Sequence, residues 1–322
     1  NDTLIFSSIS NGKSKFKFSL LFSEPGEQSG KIKIEYDTSS YSAGFVKYVM
    51  KHYLYLLKEA MEKTDSDITD LVLVNNEEKN LINQYSTTPE WTVNKDILEE
   101  INKIALKNPN KACLYFFNET ITYGDLVHRI TILAKNLIDN YGVKAGDRIG
   151  IFLDRGPDII ISMLAILYSG GCYVPLSKED PEERLSFIEK DSDLSIIISD
   201  TSEATHLFET AIVNKNNIDF NKEYEYAPLK IDEETSAYII YTSGTTGVPK
   251  GVEISRKNLR NFYQDNRILC LLNKVCDNVL FLNDFIFDIT VQEIYLPLIK
   301  GIPVIISKDT RETPDFHKFR NI

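Results

Sequence analysis

Between residues 13 and 37 apolar and polar positions alternate, with Lys15, Phe16, Lys17 and Phe18 in one run and Lys31, Ile32, Lys33 and Ile34 in another. A period of two predicts two half-buried antiparallel strands, and the EPGEQSG run between them supplies Pro25, Gly26 and Gly30 for the turn. Lysines that alternate with apolar residues read as the solvated face of that sheet rather than a basic binding patch. From Tyr41 the period becomes helical, and Phe45, Val49, Tyr53, Leu56, Leu57 and Ala60 form one stripe that must pack on something. His52 lies beside the stripe with no second His or Cys at ligand spacing, so it reads as a structural residue.

Both periods lapse in the polar run QYSTTPEWTVN, residues 84–94, which contains Pro89 and is the expected connection. The expected organisation is a first unit over 1–84, a linker over 85–94 and a second unit over 95–322. Beyond the linker, helical patterns at 95–106, 124–140, 158–168 and from DPEERL at 180–185 alternate with apolar runs at 112–117, 149–153, 172–176 and 194–199. Buried strands alternating with helices predict an α/β fold on mainly parallel sheet, with ligands where strands end and helices begin. The pattern contains no internal repeat.

Length and charge narrow the picture. At ~150 residues per domain, 322 residues correspond to about two domains, and 43% hydrophobic with 26% charged residues excludes wholesale disorder. A formal net charge of −11 opposes nucleic acid and anionic membrane surfaces, so neither is an expected partner. The longest apolar stretch, 159–168, is well short of the ~20 residues of a bilayer span, and residues 1–16 lack the order of a secretory signal. A cytoplasmic location is the expectation. Cys113, Cys172, Cys270 and Cys276 form no CxxC pair and read as free thiols.

Candidate chemistry concentrates in SAYIIYTSGTTGVPKGVEIS, residues 236–255. An apolar strand runs straight into Thr242, Ser243, Gly244, Thr245, Thr246, Gly247, Val248, Pro249, Lys250 and Gly251, and a second strand follows. Gly244 and Gly247 let successive backbone N–H groups converge on an anion, the hydroxyls of Thr242, Ser243, Thr245 and Thr246 add donors, and Lys250 adds a full charge. This is a phosphate cradle, and it differs from the Walker pattern because Lys250 stands between Pro249 and Gly251 instead of leading into a helix. In a chain of this negative charge the cradle must act locally, within the ~8 Å screening length.

These residues resemble the adenylation domains of nonribosomal peptide synthetases, within the adenylate-forming superfamily of acyl-CoA synthetases and luciferases. The resemblance spans about residues 94–309 and rests on four motifs in the family's order: ITYGDL at 121–126, LYSGGCYVPLSKEDPEERL at 167–185, YIIYTSGTTGVPKGV at 238–252 and FDITVQEIYLPLIKG at 287–301. Residues 16–86 are similar to the last stretch of a condensation domain and its junction to an adenylation domain. That family's adjacent catalytic histidines are not here, since His52, His128, His206 and His317 all stand apart.

The resemblance implies the large-domain fold of adenylate-forming enzymes, preceded by an α+β condensation-domain tail. It also implies a reaction in which a substrate carboxylate attacks the α-phosphorus of ATP, pyrophosphate leaves, and the acyl adenylate passes to a phosphopantetheine thiol on a separate carrier domain. Such a step is mostly positioning and charge stabilisation. The loop 242–251 would hold the β- and γ-phosphates, Lys250 would neutralise the departing pyrophosphate, and Mg2+ would accompany the phosphates. Asp288 matches the family's carboxylate for the α-amino group of an amino-acid substrate; it is equally an Asp at a position suited to capping the following helix. Phe287, Ile289 and Gln292 would line the substrate pocket around it, with Gln292 favouring a polar side chain.

Arg256 departs from the pattern, standing where many members have His. The family's later motifs, its adenine and ribose contacts and its second lysine have no counterpart before residue 322, so the sequence reads as a fragment, with partners expected in an upstream condensation domain, the remainder of the adenylation domain and a carrier domain. An aryl-acid or acyl ligase of the same superfamily, or a remnant that binds nucleotide or partner domains without turnover, are the alternative functions.

Overall fold

The computed structural model of the chain describes residues 16–26, 29–87, 96–227, 229–243, 248–264 and 277–307. Its contacts divide the chain into two compact units, Asn1–Glu90 and Trp91–Ile322.

In the first unit, β1 (Phe18–Gly26) and β2 (Ser29–Tyr36) pair antiparallel, with Phe18 opposite Tyr36 and Phe22 opposite Ile32. Helix α1 (Ala43–Glu62) starts where the Ser42 hydroxyl accepts from the Phe45 N–H, and α2 (Asn76–Ser86) starts with a reciprocal capping box between Asn75 and Glu78. Glu78 also meets His52 Nε2 at 2.9 Å, and that bond, the largest influence on it, holds its carboxyl below the usual range. Two expectations are corrected. The buried edge of α1 is marked by Val46, whereas Phe45 is 50% exposed and Leu57 is exposed too. With the helix opening at Ala43, the inward stripe runs 46, 49, 53, 56, 60, and Phe45 falls one position off it to stack on Tyr41 with ring centroids 5.6 Å apart. Residues 84–86, expected to open the linker, form the last turn of α2, because the capping box fixes the start of a helix that has no breaker before Thr87. Residues 88–95 lie outside the described residues.

Val46 is the one hydrophobic residue of this unit that is fully buried among the described residues, and Phe22, Tyr48, Met61, Ile68 and Tyr85 are each more than half exposed. A segment this size with so little core does not account for its own stability.

Among the described residues the second unit carries two sheets. Strands β3 (Ala112–Phe116) and β4 (Glu119–Thr122) form a hairpin; β5 (Arg148–Phe152), β6 (Cys172–Pro175), β7 (Ile196–Ser199) and β8 (Ile212–Asn214) follow, then β9 (Ser236–Thr242), β10 (Lys250–Ser255), β11 (Val279–Phe281) and β12 (Val304–Ile306). The larger sheet has the order β10-β9-β6-β5-β7-β8 and is parallel except for the β9–β10 pair at its edge. The smaller has the order β11-β12-β3-β4, antiparallel only at β3–β4. This is the mainly parallel α/β architecture that the alternating pattern predicts.

Helices α3 (Ile97–Lys107), α4 (Tyr123–Tyr141), α5 (Pro157–Tyr168), α6 (Glu182–Asp191), α7 (Ala204–Leu207), α8 (Arg256–Gln264) and α9 (Ile289–Lys300) complete the described elements. Every residue of α5 except Asp158 is buried, which is why its sequence is apolar all round. Helix α9 is tied to the rest by two tyrosines: the Tyr123 hydroxyl donates to the Leu298 carbonyl at 2.7 Å, and the buried Tyr295 and Tyr173 hydroxyls meet at 3.2 Å. Arg155, just past β5, joins the two sheets. Its guanidinium donates to the carbonyls of Phe281, Asn283 and Ser307 at 2.6–2.7 Å and lies 4.1 Å over the Phe281 ring.

Gly171 sits where α5 turns into β6. A β-carbon there would lie 2.8 Å from Ile149 Cδ1, 3.1 Å from Ile166 Cγ2 and 3.3 Å from the Asp147 carbonyl oxygen. Gly171→Ala is therefore expected to cost about 1–3 kcal/mol through overpacking, seen as a lower urea midpoint with an unchanged slope. An unshifted midpoint would mean that β5 and α5 yield freely at this point.

Candidate active site

Strand β9 is parallel to β6, so the carboxyl ends of both open on the same edge of the larger sheet. A cleft of about 590 Å³ lies there. Its floor is the apolar face of the edge hairpin, Tyr238 and Ile240 from β9 with Val252 and Ile254 from β10. Its rim carries Tyr241, Thr242 and Ser243 where β9 ends, Asp180 from the β6–α6 connection with Arg184 from the first turn of α6, and Ile286, Phe287 and Asp288 from the turn before α9. This is the place where an α/β sheet receives ligands.

The hairpin that presents the phosphate loop has a specific construction. Gly251 is directly opposite Tyr241, and a β-carbon on Gly251 would stand 3.0 Å from both Ile239 Cγ2 and Tyr241 Cζ. Glycine lets the tyrosine ring lie across the ladder, and the Tyr241 hydroxyl reaches Asp191 Oδ2 at 2.6 Å on α6. Lys250 is directly opposite Thr242 and fully outside the core. Directly opposed residues share a face, so Lys250 projects from the same side as the Thr242 hydroxyl that lines the cleft. No carboxylate among the described residues lies in ion-pair range of Lys250. Gly244, Thr245, Thr246 and Gly247 lie outside the described residues.

Asp288 stands at the N-cap position of α9 but its side chain makes no capping bond. Its carboxylate faces the cleft without a hydrogen-bond partner among the described residues, and it bears on Tyr238, whose hydroxyl is pushed up to about 12 by burial first and by the Asp288 charge second. The turn that carries it is closed by the Phe287 N–H to the Asp284 carbonyl at 3.1 Å and is held from behind by Arg155. Phe287 lines the cleft. Ile289 and Gln292 do not: both are exposed on the first turn of α9, Ile289 rotated about 100° from Asp288 and Gln292 a full turn further along the axis.

Asp180 and Arg184 were not legible as site residues; the one available signal was a cation in the first turn of the helix that DPEERL opens, against the helix dipole. Arg256 has a structural place. Its Nη2 donates to the Gly171 carbonyl at 2.9 Å, and burial lowers its basicity. Cys113 and Cys172 are buried free thiols, and burial pushes the Cys172 thiol up to about 12, which leaves it inert as a nucleophile. Among the described residues no group of three or more His, Cys, Asp or Glu side chains could hold a metal ion, and no helix is long and apolar enough to cross a membrane.

The fold and site are those of an α/β protein with a ligand cleft at the carboxyl edge of its larger sheet. The chain belongs to the AMP-binding enzyme family, whose model matches residues 101–322. It is 31% identical over 316 residues to tyrocidine synthase 3 of Brevibacillus parabrevis, covering 96% of this chain and 5% of that protein, and 29% identical over 294 residues to bacitracin synthase 3 of Bacillus licheniformis, covering 89% and 4%. The chain thus spans only a small part of the length of these synthases. Among solved structures, the nonribosomal peptide synthetase FmoA3 in its alpha-methyl-L-serine-AMP-bound form superposes with a TM-score of 0.76 at 18% identity, over 96% of this chain and 35% of that one, a likeness of fold.

Proposed function

We propose that residues 95–322 are the amino-terminal part of an adenylation domain that activates an amino acid with ATP as its aminoacyl adenylate, for transfer to a carrier-domain phosphopantetheine thiol. The observation that carries this reading is the pairing, in one cleft, of the phosphate-loop hydroxyls of Thr242 and Ser243 with the carboxylate of Asp288, unpartnered among the described residues. A carboxylate on an apolar wall is costly unless a cation meets it, and a substrate ammonium is such a cation. With the ammonium at Asp288, the substrate carboxylate points along the cleft toward the phosphate loop, where it attacks the α-phosphorus as pyrophosphate leaves toward Lys250. Thr242, Ser243 and the loop that follows orient the β- and γ-phosphates, and Lys250 meets the charge that develops on the leaving group. Mg2+ would enter with the nucleotide and neutralise part of the phosphate charge; no cage of side chains among the described residues is built for it.

The first unit is the tail of a condensation domain in this reading. Its support is physical: among the described residues two strands and two helices bury only Val46 fully, as expected of a part of a larger core. Activity belongs to the assembly of these parts in a reducing, cytoplasmic setting.

The test is ATP–pyrophosphate exchange by the intact synthetase across the proteinogenic amino acids. Exchange is expected with one or a few of them and at background without any. Exchange driven instead by aryl or fatty acids would replace this reading by the ligase alternative, and no exchange with either class by the intact synthetase would leave a nucleotide-binding remnant.

A further inference from the structure

Arg184 is the one cationic side chain among the described residues that line the cleft, against the carboxylates of Asp180 and Asp288. It is the third residue of α6, where the positive end of the helix dipole disfavours a cation, so the helix gains nothing from it at this position. Its Nε is held by Asp180 Oδ2 at 3.1 Å. Its two Nη groups have no partner among the described residues, although the side chain is only about a quarter exposed (26%). Thr242 and Ser243, where the phosphate loop leaves β9, share the same rim.

We propose that Arg184 is a second polyphosphate-binding cation of this cleft, with Asp180 holding the guanidinium in place through Nε and leaving its outer N–H groups free for phosphate oxygens. The inference rests on the reading of the cleft as a nucleotide site and adds to it a residue outside the 242–251 loop. The chemistry suits the position. A guanidinium presents parallel N–H donors that match two oxygens of one phosphate, which a lysine cannot do, so Arg184 fixes the orientation of the pyrophosphoryl group while Lys250 supplies a point charge. A polyphosphate entering a cleft walled by two carboxylates, on a chain of net charge −11, also needs more than one cation close by. A surface ion pair between Arg184 and Asp180 with no further role predicts the same coordinates but a different response to pyrophosphate.

That response is measurable by calorimetric titration of inorganic pyrophosphate into the protein and its variants. Arg184→Gln is expected to weaken pyrophosphate binding about tenfold. Arg184→Lys should recover part of the loss, because it restores charge without the fork. Asp180→Asn keeps a side-chain oxygen that can accept from Arg184 Nε and removes one repelling carboxylate, so it should bind pyrophosphate about two- to threefold more tightly. Pyrophosphate affinity unchanged in Arg184→Gln, or reduced in Asp180→Asn, would overturn the proposal, as would the absence of any pyrophosphate binding by the parent. Exchange assays separate the two levels. A parent that exchanges pyrophosphate, with a KM for pyrophosphate that is the same in Arg184→Gln, sinks this inference alone; a parent that binds pyrophosphate through Arg184 yet activates no acid sinks the adenylation reading and leaves the anion site standing.

Discussion

Replacing Lys250 by alanine is expected to slow amino-acid-dependent ATP–pyrophosphate exchange about a hundredfold, with the urea midpoint unchanged. The size follows from removing one charge aimed at charge that develops on the leaving pyrophosphate, a loss of about 3 kcal/mol. The unchanged stability follows from the fold. Lys250 opens β10 with its side chain in solvent, its backbone stays in register opposite Thr242, and the neighbouring contact that locks the hairpin belongs to Gly251 and Tyr241. Substitution of such an exposed side chain normally moves stability by less than about 0.5 kcal/mol. Exchange at the parental rate would remove Lys250 from the chemistry, and a large fall in midpoint would show that its alkyl chain supports the hairpin instead.

What the sequence reveals here follows from what each element buries. Strands β5, β6 and β7 are covered on both faces, so their residues form apolar runs that a pattern search finds at once. The α1 stripe was harder: Phe45 and Val46 are both apolar, and only the cap at Ser42 decides which of them turns inward. Strands β8 and β11 are three residues each and exist because distant partners hold them, β7 in one case and β12 in the other, a dependence no local period records. The same holds for the cleft. Thr242, Ser243, Phe287 and Asp288 were legible through their motifs, whereas Asp180 and Arg184 reach the rim only because β6 and β9 are neighbours in the sheet. Ile289 and Gln292 stand outside the lining of this cleft because spacing along a helix gives a face, and a face at the first turn is rim or solvent according to how the helix enters.

Asp288 separates two physical readings that the sequence leaves equal, and its removal should be the most selective lesion in the cleft. Asp288→Ala is expected to raise the KM for the amino acid about 30- to 100-fold, the loss of a charge-assisted contact of about 2–3 kcal/mol, with the KM for ATP within twofold of the parent. As a helix cap, the same residue would instead cost about 1 kcal/mol of stability on replacement by alanine. The geometry favours no such cost, since the carboxylate makes no bond to the amides of α9, whose position is kept by Tyr123 and Tyr295. Tyr238 provides an independent readout. Asp288 contributes to holding its hydroxyl protonated, second to burial, so Asp288→Asn should lower the tyrosinate midpoint of Tyr238 from about 12 without bringing it to the ordinary value. The ammonium of a bound amino acid should lower it in the parent in the same direction, because it cancels the same charge. A variant that activates its amino acid with parental KM and unfolds earlier would return Asp288 to the role of a cap and leave the cleft without its ammonium site.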